Sequence, residues 1–145
     1  MSDAPASSGE ARLILAHKQS TSARLRFLRF DHGVCAFTPF PPGARVCGDM
    51  PTPAVVTLPS VYLADAEKRL GLPVGGLKIV PEFRQCVEAG DACAPVHLAT
   101  FTATDPPFEA VAAAGGRFIA ITEARDCPQV DLVLLRTAYE IFLGG

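Results

Sequence analysis

Apolar positions along this chain follow two periods, a strand-like one over most of its length and a helix-like one in two places. From residue 11, ARLILAHK is a short apolar run that predicts a strand. SARLRFLRF (22–30) alternates Arg24 and Arg26 with Leu25 and Phe27 until Leu28 and Phe30 break the period, which predicts a bulge or burial on both faces. His32-Gly33 reads as a turn into VCAFT (34–38), a hairpin partner. Residues 39–53 hold five prolines and two glycines and predict a long surface loop without regular structure. AVVTL (54–58) is a further short strand. After Gly75-Gly76, LKIVPEFRQCVE (77–88) predicts a strand in which Pro81 needs an edge or a bulge, because it has no N–H for a ladder. A turn at 89–91 leads to PVHLATFTAT (95–104), which alternates, then a loop with one brief helical turn (105–116) and a last strand, RFIAITE (117–123).

The helical period appears first in SVYLADAEKRLGL (60–72). Ser60 suits the N-cap, Gly71 the left-handed residue past the C-terminus, and Pro73 forbids continuation. Asp65, Lys68 and Arg69 share one face at i, i+3 and i+4, while Leu63, Ala66 and Leu70 share another. It returns in PQVDLVLLRTAYEIFL (128–143), where Val130, Leu134, Ala138 and Ile141 make one row that Leu135, Tyr139 and Phe142 widen. That face is broad enough to cover a sheet and to offer a homodimer contact. Strands, a helix, strands and a closing helix predict an α+β chain: an α/β/α sandwich with a mixed sheet.

Composition narrows the functional classes. At 145 residues, 49% of them hydrophobic, the chain is read as one domain over residues 11–145 behind a disordered tail at 1–10. A net charge of −2 argues against a nucleic-acid partner, and no apolar run approaches 18 residues, so no membrane partner is expected. The opening MSDAPASSGE carries no signal-like pattern, and a cytoplasmic location is expected. Five cysteines at scattered spacings (Cys35, Cys47, Cys86, Cys93, Cys127) then read as reduced thiols, and no metal site is expected. Cys86 and Cys93 flank a Gly90-Asp91 turn. A two-residue loop there sets Val87 opposite Ala94 and Glu88 opposite Cys93, a register in which the two sulfurs are not opposed.

With these residues in view, the chain resembles the Nudix hydrolase family over residues 11–143, in layout more than in motif. That family places R-E-U-x-E-E-x-G-U, with U a bulky aliphatic, on a catalytic helix, and a final strand and helix close the domain. ADAEKRLGL falls on the motif with Gly71 and Leu72 in its closing positions. Ala64 replaces the arginine, Asp65 the first glutamate, and Lys68 and Arg69 the paired glutamates; the upstream glycine and glutamate fall on Met50 and Val56. Three carboxylates on one helical face hold Mg²⁺ against a pyrophosphate, whereas two cations among them repel it.

The leading functional reading is therefore a catalytically inactive Nudix-like domain, without cofactor, that binds a small anionic ligand or a protein partner through Asp65, Lys68 and Arg69. Arg24, Arg26 and Arg29 are candidates to line the same cleft. An enzyme is the alternative: a pyrophosphohydrolase using Mg²⁺ held by carboxylates outside the helix, such as Glu82, Glu88 or Glu123. The resemblance makes Glu123 the candidate general base. A structural role, dimerising through the last helix, is the third. The histidines His17, His32 and His97 are isolated, and no nucleophilic triad or phosphate-binding glycine loop is present.

Overall fold

The computed structural model describes residues 11–19, 24–49, 59–89 and 92–144. Strand β1 (Arg12–Lys18) runs through its middle, and all but its last residue are buried. Such a strand needs an apolar partner layer on each face, and its alternation supplies both. Ile14 and Ala16 point to one side with Phe27, Val96 and Leu98. Leu13 and Leu15 point to the other with Leu28, Ala99 and Phe101. The remaining elements are β2 (Leu25–Arg29), β3 (Arg45–Asp49), α1 (Pro59–Arg69), β4 (Leu77–Ala89), β5 (Ala92–Phe101), α2 (Phe108–Ala113), β6 (Arg117–Ile119) and α3 (Gln129–Gly144). The six strands form one sheet in the order β3-β4-β5-β1-β2-β6. Among the described residues only β1 and β5 pair in parallel, with Arg12 beside Val96, and the other strand pairings are antiparallel. Val130, Leu134, Leu135 and Ala138 of α3 cover the first face. Ala66 of α1 and Leu70, just past its end, cover the second together with Val111 of α2. The mixed sheet thus lies between helical layers, as the two periods predict.

Helix α1 ends as its sequence dictates. Gly71 adopts φ 68°, the Leu72 N–H reaches back to the Glu67 carbonyl at 2.8 Å and the Gly71 N–H to that of Lys68 at 3.2 Å. The helix begins at Pro59, a residue suited to a first helical position, so Ser60 lies inside the first turn and is not the N-cap expected of it; the AVVTL strand (54–58) and the tail at 1–10 lie outside the described residues. In β2 the broken alternation reflects burial on both faces, with Phe27, Leu28 and Arg29 all buried.

Pro81 sits in a bulge. Between the pairs Ile79–Ala99 and Arg84–His97, five steps along β4 are matched by two along β5. The surplus is odd, so the faces of β4 exchange: Leu77 packs on the α1 side, while Phe83 and Val87 pack on the α3 side. Beyond the bulge the register is the expected one, Val87 beside Ala94 and Glu88 beside Cys93.

The strand expected over 117–123 ends at Ile119, and a 3₁₀ turn follows at Ile121–Glu123. VCAFT does not form a strand: Val34 donates its N–H to Asp131 Oδ2 at 2.9 Å, and only an isolated bridge links Ala36 to Leu13. Residues 39–53 are not wholly irregular, because the prolines flank residues 45–49, which pair with β4 as an edge strand. Cys86 and Cys93 are not both free thiols. They are diagonal neighbours on one face of the β4–β5 hairpin, with Cα atoms 6.2 Å apart, and they form a disulfide. The opposed-pair register excludes direct facing, but not this diagonal.

Candidate binding site beside the first helix

Between α1 and the 36–38 segment lies a cavity of about 300 Å³, lined by Leu13, Ala36, Phe37, Thr38, Tyr62, Asp65 and Arg69 with Ala11. The helix supplies three of these at positions 62, 65 and 69, spaced so that one α-helical face presents them together. Arg69 Nε meets Asp65 Oδ2 at 2.8 Å, and the guanidinium lies 4.8 Å from the centre of the Phe37 ring. Both partners of the ion pair are a little over half exposed, so the pair itself adds little to stability. Its effect is to orient the arginine, which meets the carboxylate through Nε and leaves its terminal nitrogens as donors for the cavity it lines.

The floor is set by residues behind this face. Tyr62 stacks on His97 with ring centroids 6.0 Å apart. Burial, with a smaller push from the Arg84 charge, holds His97 below the usual imidazole value, so the ring beneath Tyr62 is neutral at pH 7. Glu67 was not foreseen from sequence as a special residue. It is buried, and its Oε2 accepts the N–H groups of Gly75 and Leu77, each at 3.1 Å, tying α1 to the start of β4. Its position, one turn from Leu63 and one from Leu70 on the inward side, is the sequence signal that marks it.

The candidate residues divide. Asp65 and Arg69 meet in the cavity. Lys68 lies instead with Arg69 along a second, more open groove between the end of α1 and α2, lined also by Leu70, Gly71, Ala110 and Ala114. The strand arginines do not join them. Arg24 is exposed at the start of β2. Arg26 donates to Gln19 Oε1 at 3.4 Å and lies over the Phe108 ring. Arg29 is buried and forms a two-pronged ion pair with Asp126, at 2.6 and 2.8 Å. Adjacent strand positions point to opposite faces, so Arg26 and Arg29 could not share one cleft.

The magnesium ion that the Nudix resemblance implies does not fit these residues. Asp65 is engaged by Arg69, Glu67 is turned into backbone N–H groups, and positions 68 and 69 present cations. Glu88 is paired with Arg45 at 2.8 Å, and Glu82 is exposed on β4. Glu123 follows β6, four strands away from β4, a separation of roughly 19 Å at the usual strand spacing. There its Oε1 accepts the Ala120 N–H at 2.8 Å and caps a turn. Among the described residues, no three carboxylates converge. No protein-family model matches this chain, and no curated protein shows significant sequence similarity to it.

Proposed function

We propose that this chain is a Nudix-like binding domain that does not use metal-dependent hydrolysis, and that the cavity beside α1 takes a small ligand with one anionic group and a flat or apolar portion. One observation carries the reading: Arg69, braced by Asp65 and Phe37, lies in a cavity lined further by Tyr62, Leu13, Ala36 and Ala11, with Thr38 beside them. The guanidinium offers parallel donors to a phosphate or carboxylate, and the aromatic walls suit an adjoining ring or acyl chain. Lys68, one position earlier, lines the neighbouring groove and adds positive potential beside the cavity. The apolar face of α3, the basis of the assembly reading, is largely taken up by the sheet, which leaves Leu143 as its exposed large side chain.

A thermal-shift screen over nucleotides, sugar nucleotides and acyl-CoA compounds, with and without Mg²⁺, tests this, since a ligand that prefers the native state raises its melting temperature. The expected ligand acts equally well in EDTA. Arg69→Glu, alone or with Lys68→Glu, should weaken it by about tenfold or more, the scale of a charge-assisted hydrogen bond. Turnover of nucleoside diphosphate derivatives that EDTA and Glu123→Gln both abolish would replace this reading with the hydrolase.

A further inference from the structure

Three cysteines that the sequence scatters over 46 positions converge on the face of the sheet that carries α1. On β4, Cys86 lies opposite Pro95 and diagonal to Cys93 of β5. On β3 the ladder slips between Val46 and Gly48, so that Cys47 and Gly48 together oppose Cys86. The slip brings a third sulfur to the other two. Cys47 Sγ is 4.0 Å from Cys93 Sγ, and all three sulfurs lie within 4.8 Å of one another. Cys86 is buried, while Cys47 and Cys93 are exposed, so the group has a floor and an open approach.

We propose that Cys47, Cys86 and Cys93 form a thiolate site for a soft d¹⁰ cation such as Zn²⁺, available when the Cys86–Cys93 bond is reduced. The spacing supports a metal. Zinc–sulfur bonds of about 2.3 Å in a tetrahedron place sulfurs about 3.8 Å apart, close to the 4.0 Å between the Cys47 and Cys93 sulfurs. A rearranged disulfide between Cys47 and Cys93 fits poorly, because β4 lies between their strands. Backbones two strands apart are roughly 9.6 Å from each other, beyond the reach of about 7 Å that a disulfide allows. An ion adds two bonds between the sulfurs and spans the gap.

A dithiol reductant passes two electrons and two protons to the Cys86–Cys93 bond and is itself oxidised to a disulfide. Zn²⁺ then displaces the three thiol protons, giving a tris-thiolate complex with one net negative charge and a fourth position open to water. The Arg45–Glu88 pair borders the site, since Glu88 faces both Arg45 and Cys93 in the ladders. The group shares no lining residue with the α1 cavity and does not depend on the function proposed for it.

The test uses the full chain, reduced by a dithiol or left oxidised, and titrated with Cd²⁺ and Zn²⁺. The reduced chain should show a thiolate-to-cadmium charge-transfer band and bind one Zn²⁺ by native mass spectrometry; the oxidised chain should do neither. Cys47→Ser, Cys86→Ser and Cys93→Ser should each weaken zinc by more than about tenfold, at least what losing a ligand's supporting partner costs, while Cys127→Ser should not. A variant-free measurement accompanies these: zinc should protect Cys47, Cys86 and Cys93 of the reduced wild-type chain from alkylation. Absence of a band and of bound metal, zinc affinity indifferent to Cys47→Ser, or alkylation of all three unchanged by zinc would each overturn the proposal.

Discussion

Asp131 is the residue on which the α3 layer is hinged. Its carboxylate is buried at the first turn of α3 and accepts the Val34 N–H, with the Cys35 thiol 3.6 Å away. Burial pushes the Asp131 carboxyl above its usual value, against the hydrogen bonds that pull it down. The folded chain therefore keeps this proton to higher pH than the unfolded one. The corresponding stability is complete below the ordinary aspartate range and is lost as pH rises through the raised value. Asp126 has the opposite sign: its bond to Arg29 lowers its value, so its contribution is present above the ordinary range and lost as pH falls through the lowered one. Urea midpoints measured across acidic pH should show Asp131→Asn flattening the first slope and Asp126→Asn the second; identical profiles in wild type and variants would refute the assignments. Asp131→Ala, which leaves the Val34 N–H without an acceptor, should cost about 1–3 kcal/mol. Gly33→Ala should cost more than about 1 kcal/mol, because Gly33 sits at φ 139° and a β-carbon there would overlap the Asp131 carboxylate; an unchanged midpoint would contradict that contact. None of this was legible beforehand. The Gly71 stop was, because its signal and its hydrogen bonds lie within about one turn, whereas the partners of Asp131 lie 97 and 96 positions away.

Among the elements, α3 and the bulged β4 follow directly from the sequence, and β3 does not. A row of apolar residues at helical spacing has one physical use, and α3 puts it against the sheet: Leu134 is fully buried. Leu134→Ala should therefore lower stability by about 2–5 kcal/mol through the cavity it leaves, and Ala138→Asp should prevent folding by burying a charge. Melting temperatures unchanged in both would mean the face is exposed. Pro81 announced its bulge through its missing N–H. For β3, the prolines on either side outweighed a five-residue segment with little pattern of its own, and pairing with β4 supplied what propensity lacked. The 34–38 segment errs the other way. Its apolar run reads as a strand, yet Val34, Cys35 and Ala36 are buried because Asp131 and Leu13 hold their backbone, without a ladder. The candidate site shows the same division: residues 65 and 69 could be paired from their spacing on one helix, while Phe37, Leu13 and the cysteine group come from strands and loops whose neighbours only the tertiary structure decides.

For the whole molecule, two helical periods and intervening strands were enough to give a sheet between helical layers, but not the order of its strands. That order contains one pairing with a long reach. Strand β1 is held in parallel by β5, Arg12 beside Val96 and Ala16 beside Thr100, while β4 and β5 follow each other in sequence and pair as far as Ala89 and Ala92. Closing a short loop costs far less chain entropy than bringing such distant segments together, so the β4–β5 hairpin is the local unit and the docking of β1 the slow one. Stopped-flow measurements should find that Val87→Ala, in the hairpin, slows refolding, and that Leu135→Ala, in α3, chiefly speeds unfolding; the reverse pattern would place the nucleus in the α3 layer. On the ribosome the same topology imposes a wait. Leu13, Ile14 and Leu15, destined for the centre of the sheet, leave the exit tunnel well ahead of β5 and have no permanent neighbour on one side until Thr100 has followed them. Until then a strand that the finished fold buries at six of its seven positions is exposed, and in that interval, before the fold exists, the chain is open to aggregation.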